Sequence, residues 1–339
     1  MDKYLVDVPV QINIWIRPEM QPRQFDVIKN AKPSVLFVIS DGGRSEEEWE
    51  KIHSNRKIYE EEIDWECQVY KLYKEENIGL YAMLKEMHEL IWQKVDRCIF
   101  LEDDIIPSVS YFRFCAEALE RYKDDKRIFM VCGVNDFGIS ENVTSDYFFS
   151  RYGAIQGNAF WKRSYDQFYD FAYKDDPYVM NLLKKRTGKN REHWNEIDDV
   201  AKTGIYAGHV PADEFFCSFA NYGQNQLMII PKRNLICNVG VGSDAEHGDS
   251  LKRLPKAIQR LFYMEAYEME FPMKHARYVI PDEEYEEERK KNLGIGHPFL
   301  AFFRRIERLL LVLADNDWKY VMKKIKKNLK IKSGKLVEK

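Results

Sequence analysis

The sequence predicts an α/β fold with a mainly parallel sheet flanked by helices. Two observations carry this. Short apolar runs alternate with helix-period segments over the first hundred residues, the signature of strand-helix-strand units. Each apolar run also ends in a turn or acidic segment of the kind that closes a strand at a ligand-binding edge.

Residues 10–16 (VQINIWI) predict the first strand, closed by Arg17-Pro18, and residues 21–30 a helix. The second strand, 35–40 (VLFVIS), ends in Asp41-Gly42-Gly43, a turn that lets backbone approach a ligand closely. Ser45 with Glu48 three residues on reads as a capping box opening a helix rich in Glu and Lys. Residues 67–73 give the third strand, ending near Asn77-Ile78-Gly79. Leu80, Met83, Leu84, Met87, Leu90 and Ile91 then recur at helical spacing, up to about residue 95. The fourth strand, 98–101 (CIFL), runs directly into Glu102-Asp103-Asp104. Further on, 111–122 reads as a helix, 128–134 as a buried strand and 142–154 as a loop with aromatic pieces. Gly153, Gly157, Asn158 and Trp161 lie in a Gly-containing segment before a helix. The polar stretch 174–210, with Trp194 isolated among charges, carries no assignable pattern. A helix from Asp213 to about Asn221 and a strand at 227–230 follow, and 235–242 (LICNVGVG) leads into Asp244-Ala245-Glu246-His247.

The 339 residues are 45% hydrophobic and 32% charged, too apolar for a disordered chain and long enough for one large domain or two ordinary ones. The net charge of −3 divides unevenly: residues 318–339 hold nine lysines and one acid, which is +8 and leaves −11 on the rest. An acidic body with a basic tail argues against nucleic acid as a partner and for an anionic surface met by the tail. No apolar run approaches the roughly 20 residues of a spanning helix, and the start lacks the basic and apolar regions of a secretory signal. Six widely spaced cysteines without a Cys-x-x-Cys pair read as reduced thiols, which suits a cytoplasmic chain. No Gly-x-x-x-x-Gly-Lys-Ser/Thr loop, no Gly-x-Gly-x-x-Gly after the first strand and no His-Glu-x-x-His occurs, which weakens ATPase, dinucleotide and zinc-protease readings.

Three successive carboxylates at the carboxyl edge of a parallel sheet repel one another unless a cation or a hydrogen-bond network compensates, and hard oxygen ligands there suit Mn²⁺ or Mg²⁺. The bland alternative is that the acids only cap the following turn. The segment RCIFLEDDIIPSVSYFRFCAEAL, after three strand-helix units, resembles the metal-binding acidic motif of GT-A glycosyltransferases, in particular inverting enzymes related to N-acetylglucosaminyltransferase I. GAIQGNAFWKRSY and LMIIPKRNLICNVGVGSDAEH resemble bacterial glycosyltransferases that build capsule, lipopolysaccharide or protein glycans. The resemblance spans about residues 8–250. It implies a Rossmann-like GT-A domain over 1–250, with a nucleotide-sugar half at about 1–107 and an acceptor half at about 108–250, followed by a helical, basic extension over 251–339.

The resemblance also implies roles. Asp104 would coordinate the metal, with Glu102 and Asp103 near the ribose or the metal's waters. Asp41 would hydrogen-bond the base, with Gly42 in its turn and Arg17 nearby. His247 would be a further metal or diphosphate ligand. Gly157 and Asn158 would lie at the donor sugar, or form an ordinary turn. Asn77 and Gly79 either frame the nucleotide pocket or end a strand. The related sequences carry Trp-Asp where this chain has Asp213-Glu214, so the base is Glu214 or Asp213, the former preferred. The implied reaction transfers a sugar from a UDP-sugar to a glycan or lipid-linked saccharide acceptor in surface-polysaccharide synthesis. A metal-dependent nucleotidyltransferase and a non-catalytic membrane-peripheral assembly protein are the alternatives. An apolar stripe (Phe299, Phe302, Phe303, Ile306, Leu310, Leu313) flanked by Arg304, Arg305 and Arg308, then a second stripe from Trp318 with lysines opposite, predicts attachment to the inner face of the cell membrane. Otherwise these helices pack on the domain and their cations are solvated.

Overall fold

The computed structural model describes residues 3–186, 213–241 and 251–315. Gly242, Asp244, His247, Trp194 and the lysine-rich stretch from 316 lie outside these, as do the side chains of Asp213 and Glu214. In chain order the strands are β1 Val6–Asn13, β2 Pro33–Ser40, β3 Gln68–Tyr73, β4 Arg97–Leu101, β5 Ile105–Pro107, β6 Ile128–Cys132, β7 Tyr147–Ser150, β8 Asn158–Trp161, β9 Leu227–Pro231 and β10 Ile236–Asn238. The helices are α1 Gln21–Ala31, α2 Glu46–Glu61, α3 Leu80–Trp92, α4 Val109–Arg121, α5 Lys162–Tyr165, α6 Pro177–Arg186, α7 Asp213–Gln224, α8 Lys256–Gln259, α9 Glu283–Leu293 and α10 Pro298–Ala314.

The chain divides into two compact units. The first comprises residues 1–170, 212–239 and 263–286, and contains an eight-stranded sheet of order β3-β2-β1-β4-β8-β6-β9-β7. The four strand-helix units of the amino-terminal half pair in parallel as β3-β2-β1-β4, as expected. β8 then inserts antiparallel between β4 and β6, β9 returns parallel to β6, and β7 closes the edge antiparallel. The result is an α/β fold with a mainly parallel sheet flanked by helices.

Local sequence accounts for most elements. In α1 the buried Gln21, Gln24, Phe25, Ile28 and Ala31 recur at three and four, and Lys32 in the left-handed region (φ 46°) ends the helix with its N–H on Ile28 O. The capping box at α2 is half as expected: Ser45 Oγ accepts from Glu48 N, but the Glu48 carboxylate reaches back to Arg44 N at 2.7 Å. On one sheet face α4 lies against β1 and α1. On the other, α3 places His88 and Trp92 against Phe100 and Phe160, whose rings stack at 4.5 Å.

Two features differ from the sequence reading. The aromatic loop contains β7, whose Tyr147 and Phe149 are buried. Residues 263–286 belong to the first unit: Met273 is buried in its core, Glu268 accepts from Val109 N and Ser110 N at the start of α4, and buried Glu286 accepts from Arg151 N and Nη1. The second unit comprises 171–211, 240–262 and 287–339, and among its described elements are α6, α8 and α10. No helix among the described residues is long and apolar enough to cross a membrane.

Candidate active site

The carboxyl edge of β4 is held by a buried amide. Gln24 on α1, fully buried, donates its Nε2 to Glu102 O at 2.8 Å and to Ile105 O at 2.6 Å, pinning the backbone on both sides of the acidic triplet. The exit strand β5 pairs antiparallel with β10, Ile105 opposite Asn238, and Val239 N donates to Asp104 O at 2.9 Å. The acidic motif and the start of the Asn-x-Gly-x-Gly segment are therefore adjacent, although they lie far apart in sequence.

Asp103 and Asp104 both face Arg17. Its Nε lies 3.5 Å from Asp103 Oδ2 and its Nη1 3.4 Å from Asp104 Oδ2, with all three side chains mostly buried. Arg17 is thus placed on the acids at the end of the fourth strand. Burial pushes the Asp103 carboxyl up to about 6, Arg17 opposes this and the Asp104 charge adds to it. One guanidinium at these distances only partly offsets two neighbouring carboxylates. The donor set is hard oxygen and retains demand for positive charge, which fits Mn²⁺ or Mg²⁺. Among the described residues no three His, Cys, Asp or Glu side chains converge on one point.

Glu102 lines a pocket with Gln11 and Asn13 of β1, Asn158 of β8, Leu84 and Met87 of α3, and Cys217 of α7, among others. Asn158 donates Nδ2 to Ile155 O, and its Oδ1 is buried without a protein hydrogen bond. α7 begins at Asp213, where the sequence places it, and Cys217, about one turn further, reaches this pocket. Gln11 and Asn13 were missed in the sequence reading. Their signal is present, because two amides alternate with the core residues Val10, Ile12 and Ile14 in an otherwise apolar run, 10–16.

Asp41 is engaged within the protein. Its Oδ1 accepts from Gly42 N at 2.8 Å and Ile78 N at 3.0 Å, and its Oδ2 from Gly79 N at 2.9 Å and Asn77 Nδ2 at 3.1 Å. Asn77 also donates to Gly42 O. Four acceptances fill about the four lone-pair sites of a carboxylate, so Asp41 ties the β2 turn to the loop before α3. Gly42 is demanded by this contact: a Cβ there would lie 2.4 Å from the Glu76 carbonyl carbon. Buried Arg56 supports the same turn, donating to Ser40 Oγ, Ser40 O, Asp41 O and Lys74 O. Gly157 adopts φ +59°, and a Cβ on it would lie 2.1 Å from Ile236 Cδ1, so it lets the segment before β8 close over the β5–β10 ribbon.

No family model matches the chain. No curated protein matches it in sequence. Among solved structures, a mannosyltransferase from Pyrobaculum calidifontis in complex with GDP-Man and Mn²⁺ aligns over 47% of this chain and 46% of its own, at 11% identity and a TM-score of 0.34. The chain thus spans under half of that enzyme's length. A UDP-glucose pyrophosphorylase complexed with UDP-glucose aligns over 68% of this chain and 91% of its own, at 9% identity and the same TM-score. Neither likeness bears on the chemistry below.

Proposed function

We propose that the chain is a metal-dependent glycosyltransferase that moves a sugar from a UDP-sugar to a glycan or lipid-linked saccharide acceptor with inversion. The observation that carries the reading is the convergence of Asp103, Asp104 and Arg17 at the carboxyl end of β4, beside a pocket lined by Glu102, Gln11, Asn13 and Asn158. Ligands of open α/β sheets bind in this crevice.

Asp104 would hold Mn²⁺ or Mg²⁺, and the ion would neutralise the diphosphate leaving group. Arg17 holds both aspartates in place and presents a fixed cation at the same edge. Gln24 keeps the backbone of the triplet from shifting as charge arrives. The loop clamped by Asp41, with Gly42 and Asn77, shapes the nucleotide side, while Glu102, Gly157 and Asn158 form the sugar side. Residues up to about 107 then serve the donor, and those from about 108 to 250, apart from Gly157 and Asn158, serve the acceptor. Glu214, or Asp213 beside it at the start of α7, takes the proton of the acceptor hydroxyl. The freed oxygen attacks the anomeric carbon as the bond to the diphosphate breaks and UDP leaves.

The test is release of UDP in the presence of Mn²⁺ or Mg²⁺ over a panel of UDP-sugars, with Asp104→Ala as control. Asp104→Ala should unfold like the parent chain and release no UDP above background. Release of pyrophosphate instead would identify a nucleotidyltransferase, and unchanged UDP release by Asp104→Ala would overturn the reading.

A further inference from the structure

α10 is an amphipathic helix whose apolar face is exposed. Phe299, Phe302, Phe303, Leu309 and Leu310 are between 56 and 79% exposed, and helical geometry gathers them on an arc of about 120°. The opposite side makes the contacts with the rest of the second unit. Arg304 Nη2 donates to Lys291 O at 2.7 Å, Glu307 Oε1 accepts from Lys256 N at 3.1 Å, and Val312 is buried. Polar groups thus tie the helix down and its apolar face is presented outward. Contiguous exposed apolar surface of this kind marks an interaction site.

Charge selects the occupant. Residues 251–262 and 287–315 carry ten Lys or Arg against four Asp or Glu, and the sequence continues into 318–339 with nine lysines and one acid. Two copies of this unit meeting face to face would oppose like charges. An anionic lipid surface instead takes aromatic and leucine side chains into its interface and pairs with the surrounding cations. We propose that the outward face of α10 docks the protein on an anionic lipid bilayer.

The proposal does not depend on the transfer reaction, and its test needs no nucleotide-sugar. The full chain is floated with phosphatidylcholine vesicles, with and without phosphatidylglycerol. The triple variant Phe299→Ser, Phe303→Ser, Leu310→Ser is compared with it, along with Arg305→Glu. The removed side chains are exposed, so the triple variant should melt with the parent chain. The parent should float with the anionic vesicles, and the triple variant should bind them at least about tenfold more weakly. Arg305→Glu should show an intermediate loss. Equal flotation of parent and triple variant overturns the proposal, as does a parent that binds neither vesicle. A parent that is dimeric without lipid, with a monomeric triple variant, overturns it in favour of a second copy on this face.

Discussion

Asp41→Ala separates two roles that the same residue could have. If Asp41 chiefly bonds the base, its loss weakens nucleotide binding and leaves the fold alone. The geometry argues for the other role, because both carboxylate oxygens already accept two hydrogen bonds each, from Gly42 N and Ile78 N and from Gly79 N and Asn77 Nδ2. A hydrogen bond to a charged group contributes about 1.5–3 kcal/mol where water is excluded. This turn is half-exposed and water will replace part of each bond, so about 0.5–1 kcal/mol per bond is the fitting scale, or about 2–4 kcal/mol in all. For a unit of this size that lowers the melting temperature by about 5–12 °C. Asp41→Asn should recover less than half of the loss, since its amide nitrogen must face one of the two donor pairs. Thermal unfolding followed by circular dichroism without ligand measures this directly, with UDP affinity measured in parallel. Asp41→Ala melting within about one degree of the parent chain, together with a large fall in UDP affinity, would refute the structural role.

Other substitutions probe the remaining supports. Gly157→Ala should destabilise by about 2–4 kcal/mol, from a left-handed backbone and a Cβ overlapping Ile236. Ile236→Ala in the same chain should relieve the overlap but not the backbone strain, so by chemical denaturation the double variant should lose less than the sum of the two single losses. Glu268→Ala leaves the Val109 and Ser110 N–H groups without their carboxylate and should lower unfolding stability by about 1 kcal/mol, read by urea titration. Asp103 supplies the pH dependence. Its folded carboxyl lies at about 6, above the usual 3.8, so the folded chain binds the extra proton in between. Stability without metal therefore falls as pH rises through that window, by up to about 3 kcal/mol. Asp103→Asn should be progressively more stable than the parent from pH 4 to 7, and a constant difference would contradict the assignment.

What the sequence made legible is what short-range chemistry controls. The first four strand-helix units could be read because each carries its own signals: the three-and-four spacing of Gln24, Phe25 and Ile28, the Ser45 cap, and the acids at the end of β4. β7 and β8 are four residues each and exist only because β9 and β4 pair with them, so nothing local distinguishes them from an aromatic loop. Residues 263–286 were invisible for a related reason. They run without a regular element up to α9 and hold the first unit through side chains such as Met273, Glu268 and Glu286, which leave no period in the sequence. The same division runs through the site. Glu102, Asp103 and Asp104 announce themselves by adjacency, whereas Gln24, Gln11 and the Asn238–Val239 backbone come to them only through the sheet and the β5–β10 pairing.

Arg17 shows most clearly what folding adds. In the sequence it is a strand-end cation near Asp41, and in the fold it meets Asp103 and Asp104 at 3.5 and 3.4 Å. Those separations are long for charge-assisted hydrogen bonds, which run to about 2.7–2.9 Å. The guanidinium therefore steadies the pair without saturating it, and the Asp103 carboxyl remains pushed up to about 6. A second positive charge is favoured at this edge, and a divalent ion arriving with a diphosphate would supply it. Arg17→Ala should accordingly leave more charge for that ion to meet: the metal concentration giving half-maximal thermal stabilisation in the presence of UDP should fall, and with Arg17→Lys, which keeps the charge but not the fork that spans both aspartates, it should lie between that value and the parent's.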